Sequence, residues 1–180
     1  MIKITKNSHT RPSLESAVSY HLSNRLASAS MISTTLQSLF REAFSSDPEI
    51  CSSIRRDILA VSSRDPACTG LPDVVLYFKG FHALVTHRVA NYLWTHNREV
   101  AARYLQSQAN RVFQIDIHPN ATVGSGIMLD HGTGIVVGET AVVGDDVSIL
   151  HGVTLGGSGR DGVDRHPKIG NGVLIGAGSR

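Results

Sequence analysis

His131 and Asp116 are the residues of this 180-residue chain whose types and spacing best suit proton transfer. His131 follows Asp130 in the string Ile127-Met128-Leu129-Asp130-His131-Gly132, and Asp116 lies fifteen residues earlier. An aspartate beside a histidine fixes the imidazole tautomer and supports the imidazolium that forms when the ring takes a proton. The plainer reading is a polar corner residue and a turn former. A second group closes the stretch from Gly156 to Pro167, where Arg165 and His166 follow a run rich in glycine. The two-pronged guanidinium could grip a small carboxylate, or the stretch is only a solvated basic loop. Gly157-Ser158-Gly159 is a weak phosphate-loop candidate, because no GK[ST] follows and no strand-to-helix turn is expected. His118 and His151 have no evident partner and are assigned structural roles. The histidines stand at different repeat phases, so no metal site is expected, since zinc needs several imidazoles to converge. Cys51 and Cys68 fit no metal or redox spacing, and Cys51 reads as a small buried apolar group on a helix.

The elements that must position these groups change character near residue 113. Beyond it an aliphatic residue returns every six positions, from Ile117 through Val123, Leu129, Ile135, Ala141 and Val147 to Val153. That period is neither the 3.6 of a helix nor the 2 of an ordinary strand; it is that of a parallel β-helix built from hexapeptides. Gly126, Gly132, Gly138, Gly144 and Gly156 share the period, which suits tight corners that need positive φ. In an eighteen-residue coil Asp116 and His131 are three residues short of one turn. They therefore fall on different sides, near a shared corner or across a subunit contact. Between Val153 and Ile169 the register breaks, as for a loop thrown out from the prism, and loops on rigid scaffolds often hold binding residues.

Before residue 113 the periodicity is helical. Ser13 caps a first helix through about residue 27, with Leu14, Val18, Leu22 and Leu26 on one face. A second runs over about 34–45. Asp47 and Pro48 open a third, which stops at Arg64-Asp65-Pro66 because the residue before proline is driven out of the α region. Two more are expected at about 73–96 and 98–112, separated near Asn97. The fold class is thus α+β. A helical oligomerisation domain over 1–112 precedes a β-helix over 113–180, its helices packing on one another and on a second subunit.

Composition narrows the partners. A net charge of +2 with 18% charged residues gives no reason to expect nucleic acid or an acidic membrane. No apolar run approaches the ~18 residues of a membrane span. The start MIKITKNSHTRPS is basic and polar without an apolar core, so it is not a secretory signal. It resembles an organelle transit peptide only faintly, and a cytoplasmic location is expected.

The strings Asp116-Ile117-His118-Pro119, Leu129-Asp130-His131, Thr133 to Ala141, Val153-Thr154-Leu155-Gly156-Gly157 and Asp164-Arg165-His166-Pro167-Lys168 resemble bacterial and plant serine acetyltransferases. So do Arg64-Asp65-Pro66-Ala67 and Tyr77-Phe78-Lys79-Gly80-Phe81-His82-Ala83, and the likeness covers all but the first dozen residues. Hexapeptides alone would indicate only the wider acyltransferase superfamily. The resemblance implies acetyl transfer from acetyl-CoA to the hydroxyl of L-serine, giving O-acetylserine for cysteine synthesis, without a metal. It implies His131 as general base with Asp116 as its orienting partner. Asp65 and Asp130 would hold the serine ammonium, and Arg165 and His166 its carboxylate. Gly157, Ser158 and Ala177 would meet acetyl-CoA. The implied architecture is a helical domain joining two trimers into a hexamer, with active sites between neighbouring left-handed β-helices.

Family members continue past the equivalent of Gly176-Ala177-Gly178, whereas this sequence stops at Arg180. The β-helix is therefore expected to be truncated, with only the near part of the CoA groove. The tail that docks into O-acetylserine sulfhydrylase is missing from it, which puts that docking in question. Two other readings compete: a catalytically impaired remnant that serves as an oligomerising or interaction protein, and a related enzyme that acetylates a sugar or antibiotic. Asp65 and the Arg165-His166 pair speak against the last, because neither substrate needs an amino-acid clamp.

Overall fold

Ser13 accepts a hydrogen bond from the Ser16 amide at 3.2 Å and so caps α1 (Leu14–Leu26). The computed structural model describes residues 13–159 and 164–180. The leader reading of the first twelve residues and the middle of the glycine-rich stretch lie outside them. Helix α2 (Ser33–Ser46) leads into α3 (Pro48–Arg64), where Asp47 accepts from the Glu49 amide at 3.0 Å and Pro48 occupies the first turn. Asp65 ends α3 in an extended conformation ahead of Pro66.

The single helix expected over 73–96 is two. Helix α4 (Leu71–Tyr77) and α5 (Lys79–Thr95) are broken at Phe78, whose φ of -82° and ψ of 103° are extended. Apolar residues continue through the break, so periodicity could not show it. The break lets α5 set its first turn against the β-helix, where Gly80 meets the backbone of Leu129. After Asn97, in the left-handed region at φ 59°, α6 (Glu99–Phe113) delivers the chain to the first strand. Helix α5 is buried on nearly every side from Gly80 to Ala90, and it packs on α2, α3, α4 and α6 as well as on the β-helix. That makes it the spine of the molecule.

Among the described residues nine short strands follow: β1 (Ile115–Ile117), β2 (Thr122–Val123), β3 (Met128–Asp130), β4 (Ile135–Val137), β5 (Val142–Val143), β6 (Ser148–Leu150), β7 (Thr154–Leu155), β8 (Lys168–Ile169) and β9 (Leu174–Ile175). They form three parallel sheets, β1-β4-β7, β2-β5-β8 and β3-β6-β9, which are the three sides of a left-handed parallel β-helix. Two details differ from the hexapeptide arithmetic. Ile115 pairs with Ile135 and Met128 with Ser148, so the first coil has twenty residues, while Val136 pairs with Thr154, an eighteen-residue step. The partners of Ile135 and Ala141 in the first coil are therefore Ile115 and Ala121, not Ile117 and Val123. Each repeat has two inward positions, and the sixfold run slips from one to the other between Leu129 and Ile135. The two extra residues fall at the corner that carries His131. The glycines also divide. Gly126 and Gly132 have positive φ, at 73° and 70°, but Gly138 and Gly144 do not. These two are required by space instead: a β-carbon on Gly138 would lie 1.9 Å from His166 Cδ2, and one on Gly144 2.3 Å from Asn171 Oδ1.

A buried ion pair fastens the helices to the first coil. Arg88 Nε donates to Asp57 Oδ2 at 2.9 Å, and its Nη2 donates to the Gly124 carbonyl at 2.7 Å. Asp57 Oδ1 accepts from the Ile127 amide at 2.9 Å. Burial pushes the Asp57 carboxyl up, while Arg88 and the Ile127 amide pull it back. Arg64 adds a bond to the Gly126 carbonyl at 3.0 Å, which pins the end of α3, and so Asp65, to the prism. No described helix is long and apolar enough to cross a membrane.

Candidate active site

Three elements converge on one cavity. The end of α3 supplies Asp65, the first turn of α5 supplies Lys79, and the end of β3 supplies Asp130 and His131. With Tyr77 and Thr133 they line a space of about 390 Å³. Asp65 is oriented by its own turn, one carboxylate oxygen accepting from the Ala67 amide at 2.8 Å. Gly80 brings α5 close enough for Lys79 Nζ to donate to Thr133 Oγ1. The two carboxylates leave the cavity with more negative than positive charge, which favours an ammonium group as ligand.

His131 stands out from the prism. Its φ of 54° is left-handed, its side chain is 78% exposed, and Nε2 lies 3.8 Å from Asp130 Oδ1. The corner bulge explains this projection. In the register of β3 and β6 the residue above His131 is His151, and in that of β6 and β9 the residue above His151 is Ala177. The two imidazoles meet at 6.0 Å between centroids with their planes 66° apart. Sequence reading left His151 without a partner because eighteen-residue arithmetic places position 149 there instead. The signal that could have found it was the two-residue excess at the corner.

Arg165 and His166 stand at another corner, where β4 turns into β5. His166 Nδ1 accepts from the Thr140 amide at 3.2 Å and contacts Thr140 Oγ1 at 2.8 Å, so the ring carries its proton on Nε2. The Arg165 amide donates to Thr140 Oγ1 at 3.3 Å. A hydrogen bond from Lys168 holds the Asp164 carboxyl below the usual range. Gly157 and Ser158 belong to this corner too, Gly157 lying against the Arg165 side chain and the Ser158 amide donating to the Arg165 carbonyl at 3.1 Å. Asp116 points outward from the middle of β1, where its carboxylate accepts from Gln106 Nε2 at 2.7 Å. Among the described residues no hydrogen bond or ion pair joins it to His131.

One chain therefore brings Asp65, Asp130, His131 and Ala177 to one corner. It carries Gly157, Ser158, Arg165 and His166 to another, with the β1-β4-β7 side and Asp116 between the two. His118, without an evident partner in the sequence, has two in the fold: Nδ1 accepts from the Asn120 amide at 3.1 Å, and the ring meets Trp94 edge to face at 5.1 Å. The described residues contain no group of three or more metal-ligating side chains.

The model of the serine acetyltransferase N-terminal family matches residues 3–86. The serine acetyltransferase of Escherichia coli strain K12 is 53% identical over 167 residues, covering 93% of this chain and 61% of that protein. The soybean serine acetyltransferase solved in complex with serine superimposes with a TM-score of 0.90 at 55% identity, covering 92% of this chain and 68% of that one. The chain belongs to the serine acetyltransferase family. The serine acetyltransferase of Brucella abortus strain S19 in complex with coenzyme A is similar as well, with a TM-score of 0.91 and 54% identity over 93% of this chain and 67% of that one. The chain spans 50 to 61% of the length of the curated relatives it matches.

Proposed function

We propose that this member of the serine acetyltransferase family moves acetyl from acetyl-CoA to the hydroxyl of L-serine, giving O-acetyl-L-serine for cysteine synthesis. The observation that carries the reading is the cavity in which Asp65 and Asp130 face the exposed imidazole of His131. Two carboxylates suit the ammonium of an amino acid, a clamp that a sugar or a neutral antibiotic does not need. With the ammonium held there, the serine hydroxyl comes within reach of His131, which takes its proton as the oxygen attacks the thioester carbon. The tetrahedral oxyanion needs donors, which the backbone amides of Gly157 and Ala177 can supply; the Ser158 amide is already engaged by the Arg165 carbonyl. Collapse breaks the carbon–sulfur bond, and the imidazolium returns its proton to the departing thiolate.

The separation of the two corners supports a site completed by a neighbouring copy. In a trimer the Arg165 and His166 of one β-helix would meet the His131 corner of the next and hold the serine carboxylate, and Asp116 would approach His131 from the same neighbour. A trimer, or a hexamer made through the helical domains, is therefore part of the proposal, as is a cytoplasmic location. The test is acetyl-CoA-dependent thiol release. It should require L-serine; faster release with galactosides or chloramphenicol would move the chain to another acetyltransferase class.

A further inference from the structure

His151 packs on the proposed base and takes no part in the chemistry described so far. It stands one coil above His131 and one below Ala177 at the same corner, so it lies between the proposed base and the position assigned to acetyl-CoA. Gly152, the next residue, has a φ of 70°, and a β-carbon on it would lie 3.6 Å from Gly178 Cα, which shows how closely this corner stacks. The His151 carbonyl accepts from the Gly178 amide at 3.0 Å, which fixes its backbone.

His131 needs such a neighbour. Its backbone sits on a bulge in the left-handed region, and its imidazole is largely in solvent. Its nearest charged partner, Asp130, is 3.8 Å away, beyond a good hydrogen bond. A base this exposed samples several rotamers, and each unproductive one lowers the fraction of encounters in which the ring meets a hydroxyl. The ring of His151 at 6.0 Å and 66° is in the edge-to-face geometry that aromatic pairs prefer.

We infer that His151 is a positioning residue for His131: its ring is the wall that holds the imidazole toward the cavity of Asp65 and Asp130. This rests on the proposed function in that His131 is taken as the base. No proton passes through His151 in this role, so an aromatic ring without a titratable nitrogen can replace it.

The test compares H151A, H151F and H151L in the full chain. H151A and H151L should lower kcat about 3- to 10-fold, the worth of one aromatic pair, with the serine KM within about twofold of the parent. H151F should recover turnover to within about twofold. The NMR shift of the His131 ring proton should move in H151A and H151L, which lose the neighbouring ring current, and stay near the parent value in H151F. Parental kcat in both H151A and H151L, or an H151F no better than H151A, would overturn the inference. An H131N chain that still turned over would sink the proposed function instead, while the ring-shift comparison would continue to decide whether His151 packs on His131.

Discussion

A β-carbon on Gly80 would lie 2.1 Å from the carbonyl oxygen of Leu129 and 2.9 Å from its β-carbon. Helix α5 therefore touches β3 backbone to backbone, and this contact sets Lys79 beside the Asp130-His131 corner. Gly80→Ala must push α5 away from the strand. We expect a loss of about 1–3 kcal/mol in urea unfolding, the usual cost of overpacking, together with a fall in kcat. A G80A chain as stable and active as the parent would show that the contact does not set the site.

How this site is built explains what was legible beforehand. The hexapeptide period survives the slip at His131 because Ile115 and Ile117, like Ile135 and Val137, are all buried. The architecture could thus be read while the register of the first coil was wrong by two residues. Ser13 and Asp47 announced their helices because capping is local chemistry. The break at Phe78 could not be read, since the apolar pattern runs through it and the contact it permits, Gly80 on Leu129, is with a strand about fifty residues further on. Asp65, Asp130 and His131 were picked out by motif, and only the fold shows them sharing a cavity. The partner of His151 is not legible, because it depends on coil length, which the sequence does not print.

The left-handed backbone of His131 selects the cleanest test of the base. Asparagine tolerates φ near +55° better than alanine does, so H131N removes the proposed base with little strain. It should unfold within about 0.5 kcal/mol of the parent, as surface changes do. Its kcat should fall about 10²–10⁴-fold, with the serine KM little changed. Near-normal turnover would remove this mechanism.

Acid should destabilise the helical half through two buried histidines. His82 Nε2 donates to the Val75 carbonyl at 2.8 Å and Nδ1 accepts from Arg25 at 2.8 Å, so the ring is neutral in the fold. Burial lowers its pKa from 6.5 to about 4, and burial lowers that of His87 to about 3. Between those values and pH 6.5 the unfolded chain binds protons that the folded one refuses. Stability is therefore full above about pH 6.5 and is lost as pH falls toward 4 and then 3, by about 2 kcal/mol for each histidine at pH 5. Urea midpoints at pH 7, 6 and 5 measure this. His87→Phe should make the decline shallower by one histidine's share, whatever it does to stability at pH 7; an unchanged slope would count against the assignment.

Thr140 holds His166 and the Arg165 backbone on the prism, so it governs the proposed carboxylate clamp without touching substrate. Thr140→Val keeps the shape but removes the hydroxyl that meets His166 Nδ1 at 2.8 Å. The serine KM should rise about 3- to 10-fold, the value of one ordinary hydrogen bond or a little more, and kcat should change less. Gly138→Ala should do the same by steric means, because its β-carbon would sit 1.9 Å from His166 Cδ2. If both variants bound serine like the parent, the clamp would have to lie elsewhere.

The division of the site between two corners of one chain yields the most discriminating measurement. H131N and R165A should each be weak alone at low serine, the first lacking the proposed base and the second the proposed carboxylate donor. If each site takes His131 from one copy and Arg165 from the next, random mixed trimers contain sites with both residues intact. With equal amounts, half the copies carry each residue, and about a quarter of the sites are whole in a closed ring of identical subunits. Co-refolded mixtures should then regain about a quarter of parental activity, falling symmetrically as the ratio departs from one to one. If both groups served the site of a single chain, no mixed trimer would hold a whole site, and activity would be only the average of the two variants. Recovery without subunit exchange, in separately folded variants simply combined, would have to come from another source, so that sample is the control.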